Sequence, residues 1–142
     1  MMRKRVYIAC PISNGDKERS VETRTLNLKR ATEAFDALWK LGLAPMNPAF
    51  SACHPNWEVV PYRVWTEIDK PWVLASDAVY RVPGESLGAD EECDLAFQNG
   101  IPVFYGLPSL AAYFGISEEL VNGLHGIDGD FGPIGLNAEC TS

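Results

Sequence analysis

The sequence predicts an α/β domain built on a parallel sheet, and three observations carry that prediction. Residues Ser76 to Tyr105 read as strand, loop, helix and strand, which is a βαβ unit with a right-handed crossover. Arg5 to Ala9 is a short apolar run ended by Cys10-Pro11. Between about Val21 and Leu41, apolar residues recur at helical intervals.

Each element has a local reason. Pro11 cannot donate to a ladder, so the first strand stops there and a loop from Ile12 to Arg19 begins. Leu28, Ala31, Phe35, Leu38 and Trp39 mark the buried side of the first helix, Gly42 ends it, and Leu43 to Met46 forms a second strand before Asn47-Pro48-Ala49 turns the chain away. Phe50 to Tyr62 shows no period and reads as a long loop with room for a helical turn, a kind of segment that often carries function in a small domain. Trp65 to Ser76 is helical, with Pro71 expected to kink it or to open a new first turn. In the βαβ unit, Ala78-Val79-Tyr80 is the first strand, a Pro-Gly loop leads to a helix opening near Ser86, and Ile101 to Tyr105 is the returning strand. Pro108 to Asn122 reads as one or two short helices, and the glycine-rich tail from Gly123 to Ser142 carries no period.

Length and composition bound the rest. The 142 residues, 46% hydrophobic, suit a single domain spanning 1–142, with its core at about 5–122. A net charge of −7 argues against a nucleic-acid polymer as partner, whereas a small anionic ligand is compatible with it. No apolar run nears the roughly 18 residues that cross a bilayer, and Met-Met-Arg-Lys-Arg leads into a strand with no signal-peptide core. No membrane association and a cytoplasmic location are therefore expected. Cys10, Cys53, Cys93 and Cys140 lack metal or redox spacing, and His54 and His125 lie far apart, so neither a metal nor a cofactor is expected.

Parallel sheets bind ligands beyond the carboxyl ends of their strands, which directs attention to the loop Arg81 to Gly88 and the helix after it. Glu92 falls in the second turn of that helix. The dipole there favours its ionised form, and an ionised carboxylate beside a pocket is a serviceable nucleophile. Asp90, Glu91, Glu92 and Asp94 equally form the ordinary acidic start of a helix. Ser86 is the natural N-cap and, with free backbone N–H groups, an anion ligand. Gly88 serves a close backbone approach or eases the turn. Asp69 is a general acid or hydrogen-bonding partner, or a cap for a helix restarting at Pro71. On a continuous helix it would lie between Trp65 and Trp72. Tyr7 is by default a core tyrosine. Ser13, Asn14 and Gly15, with Lys17 and Arg19 nearby, suit a backbone cradle for a phosphate or sugar, or a plain solvated turn.

Taken together, Val6-Tyr7-Ile8-Ala9-Cys10-Pro11-Ile12, Asp69-x-x-Trp72 followed by Ser76-Asp77-Ala78-Val79, and Ser86-x-Gly88-x-x-x-Glu92-x-x-x-Ala96 resemble the nucleoside 2-deoxyribosyltransferase superfamily. They are especially similar to its 2′-deoxynucleoside 5′-monophosphate N-glycosidase branch. The resemblance runs from about residue 5 to 106. It implies a doubly wound, flavodoxin-like domain with a five-stranded parallel sheet and helices on both faces. It makes Glu92 the nucleophile at C1′ of a deoxyribose, Asp69 the partner carboxylate that contacts the sugar or assists the leaving base, and Tyr7 the residue that orients the pair. Ser86 resembles the 5′-phosphate ligand of the monophosphate-specific branch, with Gly88, Ser13, Asn14 and Gly15 beside it. Asn47 and Trp65 are the further expected substrate contacts; Trp57, Tyr62 and Trp65, by their position in the loop after the second strand, either build the base pocket or pack in the core.

Two carboxylates suit this chemistry, because an oxocarbenium-like state needs one to stabilise or trap it and a second to manage the proton. The expected activity is release of the free base from a deoxynucleoside monophosphate. The alternatives are deoxyribosyl transfer between bases and nucleotide binding without catalysis. The resemblance also implies a homodimer or larger assembly in which a neighbouring subunit closes the site. The first loop lacks the arginine typical of the hydrolase branch, which leaves the preferred base open.

Overall fold

A computed structural model of the chain describes residues 2–12, 21–55, 57 and 59–128. It is an α/β structure with a parallel sheet flanked by helices. Strand β1 (Arg5–Ala9) leads to helix α1 (Val21–Lys40), strand β2 (Ala44–Met46) and a 3-10 turn over Pro48–Cys53. Helix α2 (Tyr62–Leu74), strand β3 (Ala78–Arg81), helix α3 (Leu87–Gln98) and strand β4 (Val103–Phe104) follow, and helices α4 (Leu107–Tyr113) and α5 (Glu118–Asp128) complete it.

The strand order is β2-β1-β3-β4, all parallel, with Tyr7 opposite Met46 on one side and Val79 on the other. The chain leaves β1 towards β2 and then returns past β1 to lay down β3. The winding direction therefore reverses at the β1/β3 pair, and the carboxyl ends of those two strands are where open parallel sheets bind ligands. The expected fifth strand is not found among the described residues, where the sheet has four. Past β4 the described chain is helical, because Leu107, Leu110, Ala111, Val121 and Leu124 bury themselves at helical spacing.

Strand alternation divides the core in two. Val6, Ile8, Tyr80 and Val82 face α1, α4 and α5, packing on Ala31, Ala34, Leu38, Leu107 and Leu110. Tyr7, Ala9 and Val79 face the other way, onto Val73 of α2 and Ala89, Cys93 and Ala96 of α3. The small residues on α1 and α3 let the helices lie close to the sheet. The site residues belong to the second face.

Several element boundaries differ from expectation. Helix α2 starts at Tyr62 and runs through Pro71 without restarting. Pro71 stands in the last turns, where the loss of one N–H to the carbonyl of Glu67 is offset by placing Val73 wholly in the core. Asp69 is therefore interior to a continuous helix and caps nothing. Trp39 is 45% exposed, its indole Nε1 donating to Asp36 Oδ1 at 3.1 Å, so it lies outside the buried stripe. Gly42, with φ of 88°, does end α1, since that left-handed geometry lets Leu43 N reach Leu38 O at 3.1 Å. Residues Gly123 to Asp128, expected in the aperiodic tail, belong to α5, and 129–142 lie outside the described residues.

Candidate active site

Three side chains from three elements meet on the second face of the sheet. Tyr7 stands in mid-strand on β1, wholly buried, and its hydroxyl donates a short hydrogen bond to Glu92 Oε2 in the second turn of α3. Asp69, half-buried on α2, lies near enough for its charge to act on both. Helices α2 and α3 pack against each other, which brings the two carboxylates to one side of the sheet.

The electrostatics follow from that packing. Burial pushes the Glu92 carboxyl up to about 8, with the charges of Asp69 and Glu91 adding to the rise; the Tyr7 hydrogen bond and the Arg81 cation oppose it. Burial alone lifts Asp69 to about 6. The Tyr7 phenol is driven well above its ordinary range, by burial first and then by Glu92 and Asp69, so it remains a donor across the working pH range. This corrects the expectation that the helix dipole holds Glu92 ionised. A dipole contributes about 0.3–1 kcal/mol at an exposed helix end, whereas desolvation of a carboxylate reaches several times that. As a unit the pair takes up one proton as pH falls through about 8 and a second below about 6.

Ser86 is the N-cap of α3, its Oγ accepting from Ala89 N at 3.0 Å. The cap uses one lone pair of the hydroxyl, and a ligand anion at the helix start would meet its proton and the free N–H groups of the first turn. Gly88 makes a close approach: a Cβ built there would stand 2.6 Å from the Tyr62 hydroxyl. Gly88 and Glu92 are i and i+4 on α3, so Tyr62 lies over the helix face that presents the carboxylate. Tyr62, Trp65 and Asp69 in turn share one stripe of α2. The phenol of Tyr62 is raised by burial, with Glu91, Glu92 and Asp69 contributing.

The remaining expected contacts divide. Asn47 is 3% exposed at the end of β2, where its Oδ1 caps the 3-10 turn by accepting from Ala49 N at 3.1 Å. Its Nδ2 has no hydrogen-bond partner among the described residues. Trp65 is engaged in packing: Nε1 donates to Trp57 O at 3.2 Å and its ring meets His54 edge-on. Trp57 is buried, with the Arg24 guanidinium 5.1 Å above its ring, so it does not line an open base pocket. Of the three expected pocket aromatics, Tyr62 alone stands open, at 49% exposure. Ser13, Asn14 and Gly15 lie outside the described residues, as do Lys17 and Arg19. The start of their loop is pinned from α1, where buried Asn27 donates through Nδ2 to Ile12 O at 2.8 Å.

Sequence reasoning missed Arg81. It ends β3 on the same sheet face as Tyr7, in register with Ala9, and is 5% exposed. Its guanidinium bonds Val82 O, Gly84 O at 2.9 Å and Asp90 Oδ1 at 2.9 Å. The signal was present: an arginine inside the apolar run Ala-Val-Tyr-Arg-Val is out of place unless the fold uses it.

No protein-family model and no curated protein matches this chain. Among the described residues, no helix is long and apolar enough to cross a membrane.

Proposed function

We propose that this protein cleaves the N-glycosidic bond of a 2′-deoxynucleoside 5′-monophosphate, as a member of the nucleoside 2-deoxyribosyltransferase superfamily. The observation that carries the reading is the Tyr7–Glu92 hydrogen bond with Asp69 beside it, on one sheet face below the strand ends. Two carboxylates of unlike proton affinity, one of them held by a phenol that remains a donor, are what an oxocarbenium-like transition state calls for.

With one proton on the pair it rests mainly on Glu92, and the reacting form is the minor arrangement in which Glu92 is ionised and Asp69 carries the proton. A Glu92 oxygen attacks C1′ as the C1′–N bond breaks; the electron pair leaves with the base, and the proton on Asp69 passes to it. The glycosyl ester formed on Glu92 is then opened by water, with Asp69 accepting the water's proton and Glu92 regained as carboxylate. Two inversions at C1′ give net retention. Ser86, the first-turn N–H groups of α3 and the Ser13-Asn14-Gly15 loop hold the 5′-phosphate, and Tyr62 covers the sugar. The chain acts as a homodimer or larger assembly.

The test is incubation with each common deoxynucleoside monophosphate, with and without a free acceptor base. Free base and deoxyribose 5-phosphate formed without acceptor support hydrolysis. Exchange that requires acceptor moves the assignment to transfer. Nucleotide binding with no bond cleavage, for common and base-modified nucleotides alike, would leave a binding protein.

A further inference from the structure

Arg81 is the only buried cation among the described residues, and the contacts it makes are unusual for a strand end. A buried guanidinium is costly unless its donors are matched and a counter-charge is near. Here its donors reach two carbonyls of the loop that follows β3, Val82 O and Gly84 O, and one carboxylate, Asp90 in the first turn of α3. Asp90 is 64% exposed, so its neutralisation of the guanidinium is incomplete. The Nε of Arg81 is buried with no hydrogen-bond partner among the described residues. A residue needed only to brace a loop would not require a permanent charge at a poorly compensated position.

Arg81 emerges on the sheet face that carries Tyr7, Ala9 and Val79, and it bonds the first turn of α3, the helix whose second turn presents Glu92 to Tyr7. We infer that Arg81 is a positioning residue for Glu92: it ties the Val82–Gly84 loop to the first turn of α3 and places a buried positive charge on the sheet face to which the carboxylate is held. The titratable and charged groups around Glu92 are then Tyr7 from β1 and Cys10 just beyond that strand, Asp69 and Tyr62 from α2, Arg81 from β3, and Glu91 and Cys93 from its own helix. Of these only Arg81 is a cation. It offsets part of the desolvation that holds the carboxyl protonated, and so enlarges the ionised fraction available for attack.

This rests on the proposed role of Glu92, but its test does not depend on turnover. The Glu92 carboxyl is followed by carbon-13 NMR across pH in the full chain, with the resonance assigned by its loss in Glu92→Gln. In Arg81→Met the midpoint of Glu92 should move to higher pH, and in Arg81→Lys it should stay near the parent value. Should Arg81→Met fail to fold, Asp90→Asn supplies an opposite sign. That exposed substitution leaves the guanidinium less neutralised and should move the Glu92 midpoint to lower pH. If deoxynucleotides are cleaved, Arg81→Met should also lower kcat/KM at pH 7 on the order of tenfold, with Arg81→Lys recovering most of it. An unmoved Glu92 midpoint in folded Arg81→Met, or in Asp90→Asn, overturns the inference. Absence of cleavage by the parent protein overturns the proposed function and leaves the titration result standing.

Discussion

Tyr7 and Glu92, 85 residues apart in sequence, share a hydrogen bond that joins the central strand to the second turn of α3. The donor is buried in the sheet and cannot turn away, so the bond fixes one oxygen of Glu92 and leaves the other for a ligand. The charge of Asp69 reaches both residues from the helix packed alongside. A merely structural tyrosine would have no cause to end on a carboxylate that burial makes reluctant to ionise.

Tyr7→Phe should therefore leave the fold intact and reduce kcat far more than it raises KM. Loss of one preorganised donor to the reacting carboxylate costs about a hundredfold in rate. Glu92→Gln should lose at least about a thousandfold while retaining nucleotide affinity. Steady-state kinetics together with calorimetric binding check both. A Tyr7→Phe protein with parent kcat would remove the hydroxyl from the reaction.

The carboxyl pair also makes stability depend on pH in a definite direction. In the folded protein Glu92 is raised from its ordinary value of 4.5 to about 8, and Asp69 from 3.8 to about 6. For a carboxyl raised on folding, the unfolded chain gives up its proton first. Its favourable contribution is complete below the unfolded value and is lost as pH rises through the folded one. Glu92→Gln should thus become more stable relative to the parent between about pH 4.5 and 8, by an amount on the order of several kcal/mol at the alkaline end. Urea denaturation at pH 4 and pH 9 measures it. A constant difference between the two proteins would show that Glu92 is not desolvated.

Activity should follow the same titrations. With one proton on the pair as the reacting form, kcat/KM peaks between about pH 6 and 8 and falls on both sides. Asp69→Asn leaves Glu92 as the single titrating carboxyl of the pair, so the alkaline limb should disappear and the rising limb should move up from about pH 6 towards the ionisation of Glu92 alone, which burial still raises. A profile unchanged in shape would exclude Asp69 as the proton carrier.

How far the sequence discloses this arrangement depends on which force decides each feature. The βαβ unit is legible because periodicity, the Ser86 cap and the returning apolar run all agree, and Ser86 Oγ does accept from Ala89 N. The continuity of α2 is not, since the local penalty of Pro71 is outweighed by the burial of Val73, which depends on tertiary contacts. The fifth strand was an implication of family likeness and of no apolar run in this chain. The proton affinity of Glu92 was misjudged for a similar reason: helix position is local and visible, whereas desolvation arises only when β1, α2 and α3 come together. Arg81 was visible as a charge in an apolar run, but its partners Gly84 and Asp90 are set by the loop.

Gly88 and Tyr62 provide the last prediction. Gly88 carries no φ that demands glycine, yet a methyl there would stand 2.6 Å from the Tyr62 hydroxyl, closer than real Cβ contacts. The phenol is half-exposed, so it can swing away rather than strain the helix, and Gly88→Ala should cost little stability. The effect should fall on the site, with KM for the deoxynucleotide rising on the order of tenfold as the cover over the Glu92 face is displaced. Tyr62→Ala should raise KM similarly, and the double variant should be no worse than either single one, because both remove the same contact. Additive losses in that cycle would mean that Tyr62 and Gly88 act separately, and that the glycine serves the α3 backbone alone.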